Sequence, residues 1–173
     1  VCQNTPTTQL FVSISGGTGT ASYQWYSNTN NSNVGGTPIV GAISNSYIPP
    51  SSAAGTQYYY CVINQTGSNC SVTSNPAAVV VNLSPVFSTQ PITTQQHCLN
   101  QSTSPLQVAY SNGTGIPTYQ WYTNNNNTIS GGTPINLATS NTYSPPSNID
   151  GTFYFYCVVS FVSGGGCPSI TSN

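Results

Sequence analysis

The chain repeats itself. Several motifs recur at an offset of 96 residues: Tyr-Gln-Trp-Tyr at 23–26 and 119–122, Gly-Gly-Thr-Pro-Ile at 35–39 and 131–135, and Cys at 61 and 157. A repeat of this length is the size of a domain and is much longer than a solenoid unit. The sequence therefore predicts two domains of one kind, residues 1–83 and 84–173.

The two units differ at their ends. The second is preceded by Val86–Pro91, and nothing comparable precedes the first. Conversely, the first continues past Asn75 into the apolar segment Pro76–Asn82, which has no counterpart after Asn173. We therefore expect the first unit to lack its opening strand and the second its closing strand, as in a window cut from a longer array. Completing the second unit would then require a strand from outside it.

Each unit has the pattern of an all-β domain. Apolar residues alternate in short runs, such as Leu10, Val12 and Ile14, and the runs are separated by Gly, Pro, Asn and Ser. No helical period occurs. We predict an all-β fold of two β-sandwiches in tandem.

The spacing of one apolar strand residue, a Trp and a Cys resembles the Cys-Trp-Cys spacing of immunoglobulin domains, with Val in place of the first Cys. The residues are Val12, Trp25 and Cys61 in the first unit and Val108, Trp121 and Cys157 in the second. The resemblance implies immunoglobulin-like sandwiches with these six residues in the core. It also implies that Cys61 and Cys157 are buried thiols, because the usual disulfide cannot form. The corner Tyr of that family is matched by Tyr59 and replaced by Phe155.

More narrowly, the order of motifs resembles the Ig-like repeats of giant cell-surface proteins of Bacteroidetes, which include gliding-motility and adhesion proteins exported by the type IX system. The motifs are Tyr-Gln-Trp-Tyr, Gly-Gly-Thr-Pro-Ile, Gly-Thr-x-Tyr-x-Tyr-Cys and Thr-Ser-Asn. The resemblance implies a non-catalytic segment of a secreted adhesin or extracellular filament at the cell surface. Its expected partners are neighbouring repeats of the same array or neighbouring subunits.

Charge is almost absent, with no Lys or Arg and one acidic residue. Affinity for nucleic acid and attraction to anionic membranes both depend on clusters of Lys and Arg, so we expect neither partner. No apolar run approaches the roughly 20 residues that span a bilayer, so we expect no membrane insertion. A hydrolytic triad needs a base and an orienting acid, and His97 and Asp150 are far apart in sequence. We expect no catalysis, no cofactor and no metal site.

Six cysteines, three in each unit, indicate disulfides in an oxidising compartment. Cys2 lies on the strand expected beside the closing strand, which Cys70 begins. This adjacency favours the pair Cys2–Cys70 and, in the second unit, Cys98–Cys167. The alternative is Cys2–Cys61.

Tyrosines form the remaining candidate site. If Trp25 and Cys61 point inward, their neighbours in sequence point outward from the same sheet. The six outward residues are Tyr26, Tyr58, Tyr60, Tyr122, Tyr154 and Tyr156. They are expected either to stabilise the sheet as cross-strand pairs or to form a flat surface for surface glycans or a neighbouring subunit.

Two other functions fit the sequence. One is a structural polymer subunit completed by strand exchange. The other is a carbohydrate-binding accessory module of a secreted enzyme.

Overall fold

A computed structural model describes residues 1–67, 70–162 and 166–173. The chain divides into two compact units, the first formed by Val1 and Gln3–Asn82 and the second by Cys2 and Leu83–Asn173. Both units consist of strands and loops, and no helix occurs in the described ranges. The prediction of an all-β chain with tandem sandwich domains is confirmed.

The first unit has a larger and a smaller sheet. Its strands are β1 (Leu10–Phe11), β2 (Ala21–Asn28), β3 (Thr37–Pro38), β4 (Ser46–Tyr47), β5 (Gly55–Gln65), β6 (Cys70–Thr73) and β7 (Ala77–Val81). The larger sheet has the order β3-β2-β5-β6, with β7 also paired to β5, and the smaller sheet pairs β1 with β4. All of these pairings are antiparallel.

The second unit repeats this plan with an additional pair of strands and, among the described residues, without a counterpart of β7. Its strands are β8 (Val86–Thr89), β9 (Leu106–Gln107), β10 (Ala109–Ser111), β11 (Ile116–Asn124), β12 (Thr133–Pro134), β13 (Thr142–Tyr143), β14 (Tyr154–Val162) and β15 (Ile170–Thr171). The larger sheet has the order β12-β11-β14-β15. β13 pairs with β9, and β10 pairs with β8.

The core of each unit is centred on the pairing of its two longest strands. Trp25 of β2 lies opposite Cys61 of β5, and both side chains are buried. Because successive strand residues point to opposite faces, this register directs the alternate apolar residues of both strands inward. The smaller sheet covers them, with Leu10 and Tyr47 packed against the buried cluster.

The second core has the same centre. Trp121 lies opposite Cys157, and both are fully buried together with Val108. Val12, the counterpart of Val108, is only half-buried, although it also packs on its core.

Neutral polar side chains, rather than ion pairs, stabilise the hairpins. The Gln24 side-chain amide donates to the carbonyls of Trp25 and Ile39 at 2.9 and 2.8 Å, and Gln120 repeats both bonds at the same distances. The Asn28 amide donates to the carbonyls of Ser32 and Val34, each at 3.1 Å, and closes the following loop. A nearly uncharged sequence thus satisfies its backbone with neutral amides.

The units differ at their ends as expected. β8 pairs with β10 in the second unit, whereas no described strand of the first unit pairs with Ser13–Ser15, the counterpart of β10. In the first unit β7 pairs with the first half of β5. β14 has no such partner in the described residues, and it begins at Tyr154 although β5 begins at Gly55.

Candidate functional site

The outward tyrosines form one stacked pair in each unit. Tyr26 and Tyr60 lie opposite each other in register, with ring centroids 5.1 Å apart and planes 2° from parallel. Tyr122 and Tyr156 repeat this arrangement at 5.0 Å and 3°. Aromatic pairs of this kind contribute about 0.5–1.5 kcal/mol beyond the area that they bury.

In each stacked pair, the tyrosine of strand β5 or β14 is hydrogen-bonded to a loop. The Gly36 amide donates to the Tyr60 hydroxyl oxygen at 3.0 Å, and the Gly132 amide donates to that of Tyr156 at 3.2 Å. A Cβ atom at Gly36 would lie 2.8 Å from the Tyr60 ring and 2.8 Å from the carbonyl oxygen of Ser27. The second Gly of the repeated Gly-Gly-Thr-Pro motif is therefore required by close packing of a tyrosine ring on the backbone.

The prediction that all six tyrosines form an exposed surface is wrong for two of them. Tyr60 and Tyr156 are buried, with only 3 % and 5 % of their surfaces exposed, and their hydroxyl groups bind the chain's own backbone. The loop packing that buries them depends on tertiary structure and not on strand alternation. The other four tyrosines, which are half-buried, remain at the surface: Tyr26, Tyr58, Tyr122 and Tyr154.

The cysteines pair differently from the prediction. Cys2 forms a disulfide with Cys167, with Cα atoms 4.8 Å apart. The predicted pairs Cys2–Cys70 and Cys98–Cys167 are both wrong. Cys70 and Cys98 are exposed, and Cys70 begins β6 opposite Gln65.

The physical reason is that Cys2 belongs to the second compact unit although its sequence position is in the first repeat. The Cys2 sulfur lies 3.7 Å from the carbonyl oxygen of Leu83, and that carbonyl accepts a hydrogen bond from the Gly113 amide at 3.1 Å. The next residue, Thr114, has its hydroxyl 3.4 Å from the sulfur of Cys167. The bond therefore joins cysteines of different sequence repeats, whereas both predicted pairs lay within one repeat.

Cys61 and Cys157 are buried thiols at the centre of each core. Burial raises the pKa of both thiols, to about 11 for Cys157, while contacts with the backbone of Gln24 and Gln120 lower it by less. A thiol with a raised pKa and no solvent access is a poor nucleophile. These side chains therefore serve packing.

One serine in each unit has a role that we did not predict. The Cys157 amide donates to the Ser172 hydroxyl oxygen at 2.9 Å, and the Cys61 amide donates to that of Ser74 at the same distance. The signal was present in the sequence, because both serines stand in the recurring Thr-Ser-Asn motif.

The only histidine lies at the surface of the second unit. The His97 ring contacts the Gln95 side chain at 2.8 Å. In the described residues, no three His, Cys, Asp or Glu side chains come together as a metal site would require. In the part of the chain that the structure describes, no helix has the length and apolar character needed to cross a membrane.

The two units correspond to two matches with one protein family. The profile of a family described as "Domain of unknown function (DUF8696)" matches residues 1–83 and again residues 89–173. No curated protein matches the chain. The two matches together cover nearly all of the sequence, and the chain therefore belongs to the DUF8696 family, of which it contains two consecutive domains.

Proposed function

We propose that the chain is a non-catalytic repeat segment of a secreted cell-surface adhesin or extracellular filament. The observation that carries this proposal is the presence of two consecutive copies of one sandwich domain. Tandem domains of one kind are used to set length and spacing, because each copy adds a similar increment of folded chain. A stalk or filament needs such increments more than it needs a reactive site.

The chemistry of the described side chains agrees with this role. The polar groups that recur in both units bind the chain's own backbone, as Gln24, Asn28 and Tyr60 do in the first. The titratable thiols in the cores have raised pKa values and are buried. The repeated motifs are thus accounted for by folding, without a substrate.

The cysteines favour a location outside the cytosol. The Cys2–Cys167 disulfide is of the kind that persists in oxidising compartments such as the periplasm or the cell exterior. Together with the likeness of the motifs to Ig-like surface repeats, this bond supports export to the cell surface. Neighbouring repeats or subunits are the partners that we propose.

Labelling of intact cells tests the proposal. Antibodies raised against the folded chain should label cells of the encoding organism without permeabilisation, and brief digestion of intact cells with chymotrypsin should remove the signal. Trypsin cannot cut within this segment, which has no Lys or Arg, so any signal lost with trypsin would reflect cleavage elsewhere in the protein. Labelling that appears only after permeabilisation would refute surface display.

A further inference from the structure

The first unit has an open apolar groove along one edge, which we call the edge groove. It has a volume of about 410 Å³ and lies between the segment Ser13–Gly17 and the paired strands β5 and β6. Its apolar lining is formed by Ile14, Ile63 and Val72. Val72 is 53 % exposed there, although it lies opposite the buried Ile63 in register.

The 96-residue offset relates this groove to a site in the second unit that a strand covers. Ser13–Ser15 corresponds to β10, and β10 pairs with β8, with Tyr110 opposite Phe87. Phe87 packs against the buried cluster of the second unit. The rings of Tyr110 and Phe161 also pack edge to face, with centroids 5.1 Å apart. In the edge groove, the equivalent positions are occupied by Ile14 and Gln65.

Burial differs between the units at the equivalent positions. Ile170, the counterpart of Val72, is half-buried and packs on the core. Ser172 is fully buried, whereas its counterpart Ser74 is half-buried. The segment that follows β8 also contributes, since the side-chain oxygen of Gln90 accepts the Asn173 amide at 3.0 Å. We attribute these differences to β8, because it is the strand that the described part of the first unit lacks.

We propose that the edge groove binds an extended, uncharged peptide strand of the β8 type, with the sequence Val-Phe-Ser-Thr that stands at 86–89 ahead of the second repeat. The strand would pair antiparallel with Ser13–Ser15, and its aromatic side chain would cover Ile14 and Val72. Strand addition of this kind obtains affinity from main-chain hydrogen bonds and specificity from the side chain that faces the groove. The inference goes beyond the proposed function and does not depend on where the chain is located.

Charge determines which strands the groove accepts. The first unit contains no Lys, Arg, Asp or Glu, so a charged residue at the aromatic position would be buried without a partner. The groove should therefore reject strands with Asp or Lys at that position. It should bind poorly to strands in which Ala replaces the aromatic residue, because the apolar lining would stay exposed.

A capped peptide with the sequence of residues 84–91 tests the proposal on the intact chain. We expect saturable binding in calorimetry at peptide concentrations up to about 1 mM. Peptides with Phe87→Ala or Phe87→Asp should bind at least roughly tenfold more weakly. Hydrogen exchange should slow at Ser13–Ser15, and the equivalent segment of the second unit should not change. Equal binding of the Phe87→Asp peptide, or protection elsewhere only, would overturn the proposal.

A fused strand removes any dependence on affinity in solution. A second copy of residues 84–91, joined ahead of Val1 through a Gly/Ser linker, should raise the unfolding midpoint of the first unit. The same fusion with Phe87→Asp in the added copy only should not raise it. Ile43→Asp, at a position that is 65 % exposed and outside the groove lining, is a matched variant that should leave both results unchanged. If the two fusions have the same midpoint and the peptide does not bind, the groove is not a strand acceptor.

Discussion

The hydroxyl group of Ser172 accepts a hydrogen bond from the amide of Cys157, a residue with no exposed surface. The substitution Ser172→Ala removes the acceptor and leaves this amide without a partner. A buried donor left unsatisfied costs about 1–3 kcal/mol. Since Ser172 is itself fully buried, water cannot replace the hydroxyl without rearrangement, and we expect a loss of about 2 kcal/mol in the free energy of unfolding of the second unit.

Ser74 provides an internal comparison. It makes the same 2.9 Å bond with the Cys61 amide, but it is half-buried. Because water can reach the site, Ser74→Ala should lower the free energy of unfolding of the first unit by only about 0.5–1 kcal/mol. The same substitution in the chain with a fused β8-type strand should cost more, because the added strand would bury the site.

Each unit has one Trp, so urea unfolding followed by fluorescence can report on one unit at a time. Trp25→Phe leaves a signal from the second unit, and Trp121→Phe leaves one from the first. A loss of 2 kcal/mol lowers the midpoint by roughly 1–2 M urea for a domain of this size. Ser169→Ala, at an exposed position, should stay within about 0.5 kcal/mol of its parent. If Ser172→Ala lowers the free energy of unfolding no more than Ser169→Ala does, or if Ser74→Ala lowers it more than Ser172→Ala does, the buried hydroxyl does not have this role.

Three further predictions concern the same cores. Gly132→Ala should destabilise the second unit by about 1–3 kcal/mol in the same assay, because the new Cβ would lie 2.9 Å from the Tyr156 ring; an unchanged midpoint would contradict the packing. Peptide mapping of the non-reduced protein should recover Cys2 linked to Cys167, and any other partner for Cys2 would contradict this pairing. The folded state raises the pKa of Cys157 to about 11 from an ordinary value of 9.0, so the unfolded state releases its proton first. Stability should therefore be constant with respect to this thiol below pH 9 and fall between pH 9 and 11, and Cys157→Ala should remove that part of the decline.

The fold was predictable because its signals are local or repeated. Trp25 and Cys61 stand at strand positions that alternate with polar residues, and their repetition at 121 and 157 identifies them as equivalent without knowledge of tertiary structure. The unequal ends of the repeats also predicted which unit would contain the β8–β10 pair and which the β5–β7 pair.

The candidate site was less predictable because it depends on contacts between distant segments. Strand alternation places Tyr60 on the outer face of its sheet, and only the approach of the Gly36 loop buries it. Disulfide pairing has the same limitation, since cysteine spacing leaves several connectivities open. The observed pair joins residues 165 positions apart, which no adjacency within one repeat could suggest.

That disulfide also determines how the chain responds to mechanical force. Cys2 and Cys167 enclose nearly the whole sequence in one covalent loop. Tension applied through Val1 and Pro168 passes directly across the sulfur–sulfur bond, so the sheets and their hydrogen bonds are not loaded. Without the bond, the chain between Cys2 and Cys167, which are separated by 165 positions, could extend by about 3.3–3.6 Å per residue, to roughly 550 Å, once unfolded. With the disulfide formed, the segment cannot lengthen under tension between these two points. After reduction it can unfold and lengthen.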